Sequence, residues 1–164
     1  MGADIHWYSE TKKEGKWYAD TASSFRINDE DPSCVETELD GFPNRIRDYW
    51  FFGLLQPCVR TEWKWSFPEH VKFPTDASSE VRDMFKSWEG DAHSEGFLTG
   101  QDLKTKLSEL KLLQAEHLIS PIVEIEALQH HIKRLNQTLD TLKIDCRDEG
   151  VADENRRIVF WFDN

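Results

Sequence analysis

Arg157-Ile158-Val159-Phe160-Trp161-Phe162 is the stretch that decides how this chain folds. It is too short for a helix, shows no polar alternation, and carries the β-branched and aromatic side chains of a strand buried on both faces. A terminal strand of that kind pairs inside a sheet. Its expected neighbour lies at the other end of the sequence, where Asp4-Ile5-His6-Trp7-Tyr8-Ser9-Glu10 is rich in aromatic and β-branched residues. Lys12-Lys13-Glu14-Gly15-Lys16 then supplies turn chemistry before Trp17-Tyr18-Ala19, so the N-terminal segment predicts a β-hairpin with the last strand beside it.

Helical periods fill the interval between these strands. Leu103, Leu107, Leu110 and Leu113 form one apolar stripe, and Ile122, Ile125, Leu128, Ile132, Leu135, Leu139 and Leu142 form a second. Pro121 either opens the second helix behind a Ser120 cap or kinks one continuous helix. Two antiparallel helices sharing a Leu/Ile seam are the preferred arrangement; a homo-oligomeric coiled coil through Ile122 to Leu142 is the competing one. Arg47 to Val59 reads as a buried helix ending near Pro57, and Ala77 to Trp88 as an amphipathic helix capped by Asp76 or Thr75. Asn28 to Asp40, with six acids and no Lys or Arg, reads as an exposed loop. The expected fold is α+β: residues 1–164 as one domain, a small antiparallel sheet packed with helices, and a long helical hairpin over 100–144 inserted before the C-terminal strand.

Composition narrows the partners. Against 20 Lys and Arg stand 31 Asp and Glu, a formal charge of -11 in 164 residues, which repels phosphate backbones and disfavours non-specific nucleic-acid binding. No apolar run is long enough for a membrane span and no signal-peptide pattern opens the chain, so a cytoplasmic protein without a membrane partner is expected. Cys34, Cys58 and Cys146 form no CxxC pair, and reduced structural thiols are expected. Neither GxGxxG, a Walker lysine loop, HExxH nor a GxSxG elbow occurs.

Three local clusters carry chemistry. Asp4 and His6 are one residue apart, so on a strand they share a face; Asp91-Ala92-His93-Ser94 repeats that spacing between Gly90 and Gly96. Convergence of Asp4, His6, Asp91 and His93 would give a mixed carboxylate and imidazole site suited to a divalent metal, the one cofactor the sequence suggests. The plainer reading is a strand-edge acid and imidazole with loop-capping side chains. Arg45, Arg47 and Arg60 flank the aromatic Tyr49 to Phe52 segment, with Lys64 and Trp65 following, and Arg47, Tyr49 and Arg60 could hold a small nucleotide ligand. Packing of these aromatics in the core is the stronger expectation. His130 and His131 are adjacent, about 100° apart on a helix, and are read as surface or boundary residues.

Met1-Gly2-Ala3-Asp4-Ile5-His6 resembles the opening Met-Gly-Cys-Asp-Ile-His of a protein family found in tailed phages and in bacterial genomes carrying prophages. Later landmarks are similar in order: Arg47-Asp48-Tyr49 through Val59-Arg60, Pro68-Glu69 with Asp76-Ala77-Ser78-Ser79-Glu80-Val81, Asp91-Ala92-His93-Ser94 with Phe97-Leu98-Thr99, and Ile158 to Asn164. Ala3 replaces the family's cysteine, and Glu95-Gly96 stands where a second polar His or Ser is common. The resemblance brings no activity with it. It implies phage or prophage origin, and that Asp4, His6, His93 and Asp163 belong to one centre. The expected function is therefore that of a phage-encoded accessory protein working in the host cytoplasm. It would be a non-catalytic, counter-defence binder that occupies a host protein or sequesters a nucleotide-type ligand at Asp4, His6, Arg47, Tyr49, Arg60, His93 and Ser94. A metal-dependent hydrolase using Asp4, His6, Asp91 and His93 is the alternative, and a structural phage component the third.

Overall fold

Every residue from Arg156 to Phe162 is buried, as a strand covered on both faces must be. A computed structural model of the chain describes residues 4–20, 26–28, 31–36, 48–57, 59, 63–68, 72–116 and 122–163. The elements run β1 (Asp4–Lys13), β2 (Lys16–Ala19), β3 (Arg26–Asn28), β4 (Asp31–Glu36), α1 (Tyr49–Leu55), α2 (Ser79–Ser87), β5 (His93–Thr99), α3 (Gly100–Ala115), α4 (Ile122–Cys146) and β6 (Arg156–Asp163). The main sheet is antiparallel in the order β2-β1-β6-β5. The fold is α+β, with the C-terminal strand beside the N-terminal hairpin as its composition predicts. No helix among the described residues is long and apolar enough to cross a membrane.

The hairpin turns on two residues, Glu14 at φ 50° and Gly15 at φ 80°, between the paired Lys13 and Lys16. Two left-handed central residues match the twist of the flanking strands, which is why Gly sits there. In β6, alternate residues serve two cores. Ile158, Phe160 and Phe162, with Trp7 and Leu98, pack against α1, α3 and α4. Val159 and Trp161, with Tyr8, pack against Ala77 and Val81 at the start of α2. The helical stripes divide as well: Leu103, Leu107 and Leu110 of α3 and Leu128, Leu135, Leu139 and Leu142 of α4 are all buried in the first core.

Four expectations are corrected or fall outside the described residues. The segment expected as an acidic loop contains β4, which pairs with β3 as a separate two-stranded sheet with Ile27 opposite Val35; acidic composition argues exposure but does not prevent backbone pairing. Helix α2 starts later than Ala77 and is capped by Ser78, whose Oγ accepts from Val81 N at 3.4 Å. Asp76, the cap expected from sequence, instead accepts from Arg157 Nη1 at 2.9 Å and Trp17 Nε1 at 3.0 Å. The Gly-flanked His93 segment belongs to edge strand β5, hidden in the sequence because a bulge between His93 and Gly96, with Ser94 at φ 53°, breaks the alternation. Ser120 and Pro121 lie outside the described residues.

A buried ion pair locks the second core. Arg157, 2% exposed, donates from Nε to Oε2 of the fully buried Glu10 at 2.7 Å, and Glu10 Oε1 accepts from Ser78 N at 2.7 Å. The guanidinium lies 3.9 Å from the centre of the Trp17 ring. Removing Glu10 leaves the buried guanidinium with only the exposed Asp76 as a charged partner, and leaves Ser78 N without its carboxylate acceptor. Glu10→Ala should therefore lower unfolding free energy by about 3–5 kcal/mol in urea titrations, as for other broken buried pairs.

Candidate functional site

Strand pairing fixes where the Asp-x-His segments go. His6 stands opposite Trp161 and Asp4 opposite Asp163 on one side of β6, while His93 stands opposite Phe162 on the other. Trp161 and Phe162 are consecutive, so their side chains point to opposite faces of the sheet, and the two imidazoles do the same. His6 lies 4.2 Å from the Trp88 ring, centre to centre, on the α2 face; its Nε2 is 3.3 Å from Asp163 Oδ2. His93 lies over Phe162 at 6.4 Å, and its Nδ1 is 3.0 Å from the Ser94 hydroxyl. Of the four residues that the resemblance groups in one centre, His6 and Asp163 lie together on one face of the sheet, while His93 lies on the other. Asp91 is exposed in the turn before β5. No group of three or more His, Cys, Asp or Glu among the described residues could hold a metal ion. The Asp4 side chain, Arg45, Arg47 and Arg60 lie outside the described residues. Tyr49 is half-buried and packs edge-on to Phe52 at 6.0 Å, Trp65 is buried, and Lys64 pairs with Glu124 at 2.7 Å.

The densest polar chemistry lies where α1 meets α4. Asp48 caps α1 by accepting from Phe51 N at 3.1 Å, and the same carboxylate receives Arg134 Nε at 2.6 Å and His130 Nε2 at 2.7 Å from α4. Burial by itself would raise the Asp48 carboxyl; hydrogen bonds from His130 and Phe51 N–H, with the charges of His130 and Arg134, hold it below the ordinary value. His131 is fully buried, accepting from Trp65 Nε1 through Nδ1 at 2.9 Å and donating from Nε2 to Trp50 O at 3.0 Å. These two bonds require the neutral ring, and desolvation pushes its pKa down to about 4. The boundary role expected for the His130-His131 pair is corrected for His131: 100° of rotation turns it into the core. Its one legible signal is its place three residues after Leu128, on the buried stripe.

Among the described residues, apolar side chains stand exposed where α3 ends and α4 begins. Helices α3 and α4 pack on each other, yet Leu112 is 58% exposed near the end of α3 and Ile122 74%, Val123 49% and Ile125 38% at the start of α4. The seam from Leu128 to Leu142 is used within the chain, so of the stripe once expected to mediate oligomers only its first residues face outward. Exposed Glu116 and Glu126 stand on the same end.

Two titrations, of the half-buried Asp20 and the buried His131, oppose each other. Asp20, which accepts from Thr11 Oγ1 at 2.8 Å, is raised to about 6 by burial and by Asp145 and Glu10, against the pull of Thr11 and Lys13. His131, at about 4 when folded and about 6.5 when unfolded, binds its proton more readily in the unfolded chain; its contribution of about 3 kcal/mol is lost as pH falls through that interval. Asp20 binds its proton more readily in the folded chain, so its contribution rises as pH falls from about 6. Urea midpoints should show this directly: Asp20→Asn should lose stability steeply from about pH 6.5 to about pH 4, whereas His131→Gln should hold or gain it there. No family model, curated protein or solved structure matches this chain.

Proposed function

We propose that this is a non-catalytic accessory protein of the phage or prophage type, which works in the host cell by occupying a host protein. The carrying observation is the uncovered apolar end of the helical hairpin, formed by Leu112, Ile122, Val123 and Ile125. Exposed aliphatic side chains gathered at one end of a structure otherwise able to bury its Leu seam mark an interaction surface. Glu116 and Glu126 at its margin and the net charge of -11 fit a partner whose docking surface is apolar at its centre and basic at its rim. The polar groups catalysis would recruit are engaged in structure: Asp48, His130, Arg134 and His131 tie α1 to α4, and Glu10 with Arg157 fastens the sheet to α2. The hydrolase reading draws no support from a register that sets His6 and His93 on opposite faces.

A photo-crosslinking residue at Val123, compared with one at the exposed Asp83 of α2, tests this in a bacterial cell carrying the gene. The expected result is a discrete adduct at Val123 alone, which disappears in Ile122→Glu and Leu112→Glu variants whose thermal stability is unchanged, as surface substitutions allow. An adduct of twice the chain mass would replace the host-protein reading with self-association, and equal labelling at both positions would remove the hairpin end as a contact surface.

A further inference from the structure

The opposite end of the same hairpin carries a different chemistry. Where α3 begins and α4 ends, a cleft of about 580 Å³ is lined by Lys104 of α3, by Lys143, Ile144 and Arg147 at the end of α4, and by Glu149, Val151, Asp153 and Arg156 of the connection into β6. That volume lies within the range of small-molecule sites, roughly 300–1,000 Å³. Four cations meet two carboxylates there, a local excess of positive charge in a chain of formal charge -11. Lys104 is paired with Asp153, so the excess rests on Lys143, Arg147 and Arg156.

Each of the three has its own mark. Arg156 is 4% exposed; Nη2 donates to Asp148 O at 2.9 Å and Glu149 O at 3.4 Å, while its buried Nε has no hydrogen-bond partner among the described residues. A guanidinium held this way is fixed in place at the edge of the cleft, anchored through Nη2 on two backbone carbonyls. Arg147 has φ 52° directly after the last residue of α4, the left-handed position where helices end on Gly or Asn. An Arg there strains the backbone, and strain of this kind persists where the side chain has a use. Lys143 in the last turn also opposes the negative end of the helix dipole, which explains one cation and not three. Beside them Ile144 is 71% exposed, an apolar wall continued by the half-buried Val151.

We propose that this cleft binds a small phosphate-bearing ligand of mononucleotide size, its anionic end on Lys143, Arg147 and Arg156 and its less polar group against Ile144 and Val151. The net charge of -11 on the chain as a whole favours a small anion over a polyanion as the occupant. The site stands apart from the hairpin end described above and does not depend on the reading given there.

Isothermal titration of the full chain with AMP, inorganic phosphate, adenosine and a single-stranded oligonucleotide tests it. One AMP per chain is expected, with phosphate weaker by tenfold or more, adenosine undetected, and affinity falling as salt is added. Arg147→Gly discriminates between a folding role and a binding role. Gly relieves the left-handed strain, so the melting temperature should hold or rise while AMP affinity falls at least tenfold; Lys143→Ala should lower affinity without changing the fold. Absence of binding by both AMP and phosphate overturns the proposal, as does AMP affinity unaltered in both variants. Phosphate binding as tight as AMP would remove the Ile144 and Val151 subsite, and a preference for the oligonucleotide would replace the small ligand with a polymer.

Discussion

Everything in this fold is arranged around a strand from one end of the sequence lying between strands from the other parts of it. Strand β6 is bonded to β1 on one edge and β5 on the other, and both its faces are covered. Contacts between the two ends of the chain close very long loops: Glu10 of β1 reaches Arg157 of β6, and Ser9 of β1 reaches Asp145 at the end of α4. Bringing such distant segments together is entropically costly but grows only slowly with loop length, whereas burying Trp161, Phe160 and Phe162 removes three large aromatic surfaces from water. Alternation along β6 then decides what each layer receives, with α2 on the Trp161 face and the longer helices on the Phe162 face.

Polar groups in the interior act as ties between layers. Asp48 joins the N-terminus of α1 to two side chains of α4, and His131 joins α4 to the backbone of Trp50 and the indole of Trp65. Such groups are costly to bury alone and acceptable when every partner is present. Both histidines of the α4 pair are taken up in this way, His130 on Asp48 and His131 between Trp65 and Trp50. The hairpin made by α3 and α4 is held through its Leu seam, and Asp48 ties its second helix to α1; its two ends differ in character, with exposed aliphatic side chains at one and a basic cleft at the other.

How much was legible follows from which signals are local. The β1–β2 turn was readable because Gly15 sits where a two-residue turn needs a left-handed backbone, and the helical hairpin because Leu recurs at helical spacing. The α2 cap was not, because Asp76 is drawn away by Arg157, a residue 81 positions distant. Strand β5 was obscured by its own bulge. Of the candidate site, the spacing of Asp4 and His6 correctly placed two residues on one strand, but no spacing within either segment could say that His93 would face the other way. The basic cleft left no contiguous trace, since Lys104 and Arg156 come from segments that meet only after the helices pack.

The class of fold, the N-terminal hairpin, the last strand and the four helices are written in the sequence, because apolar periodicity and turn chemistry act over a few residues and need no partner. Tertiary structure alone decided the faces. One residue of register on β6 separates His6 from His93, one step along α4 sends His131 inward and His130 outward to Asp48, and antiparallel packing of α3 on α4 gathers Lys104, Lys143, Arg147 and Arg156 around one cleft. These are consequences of alignment between distant segments, set by which surfaces bury most together, and no single segment carries that information.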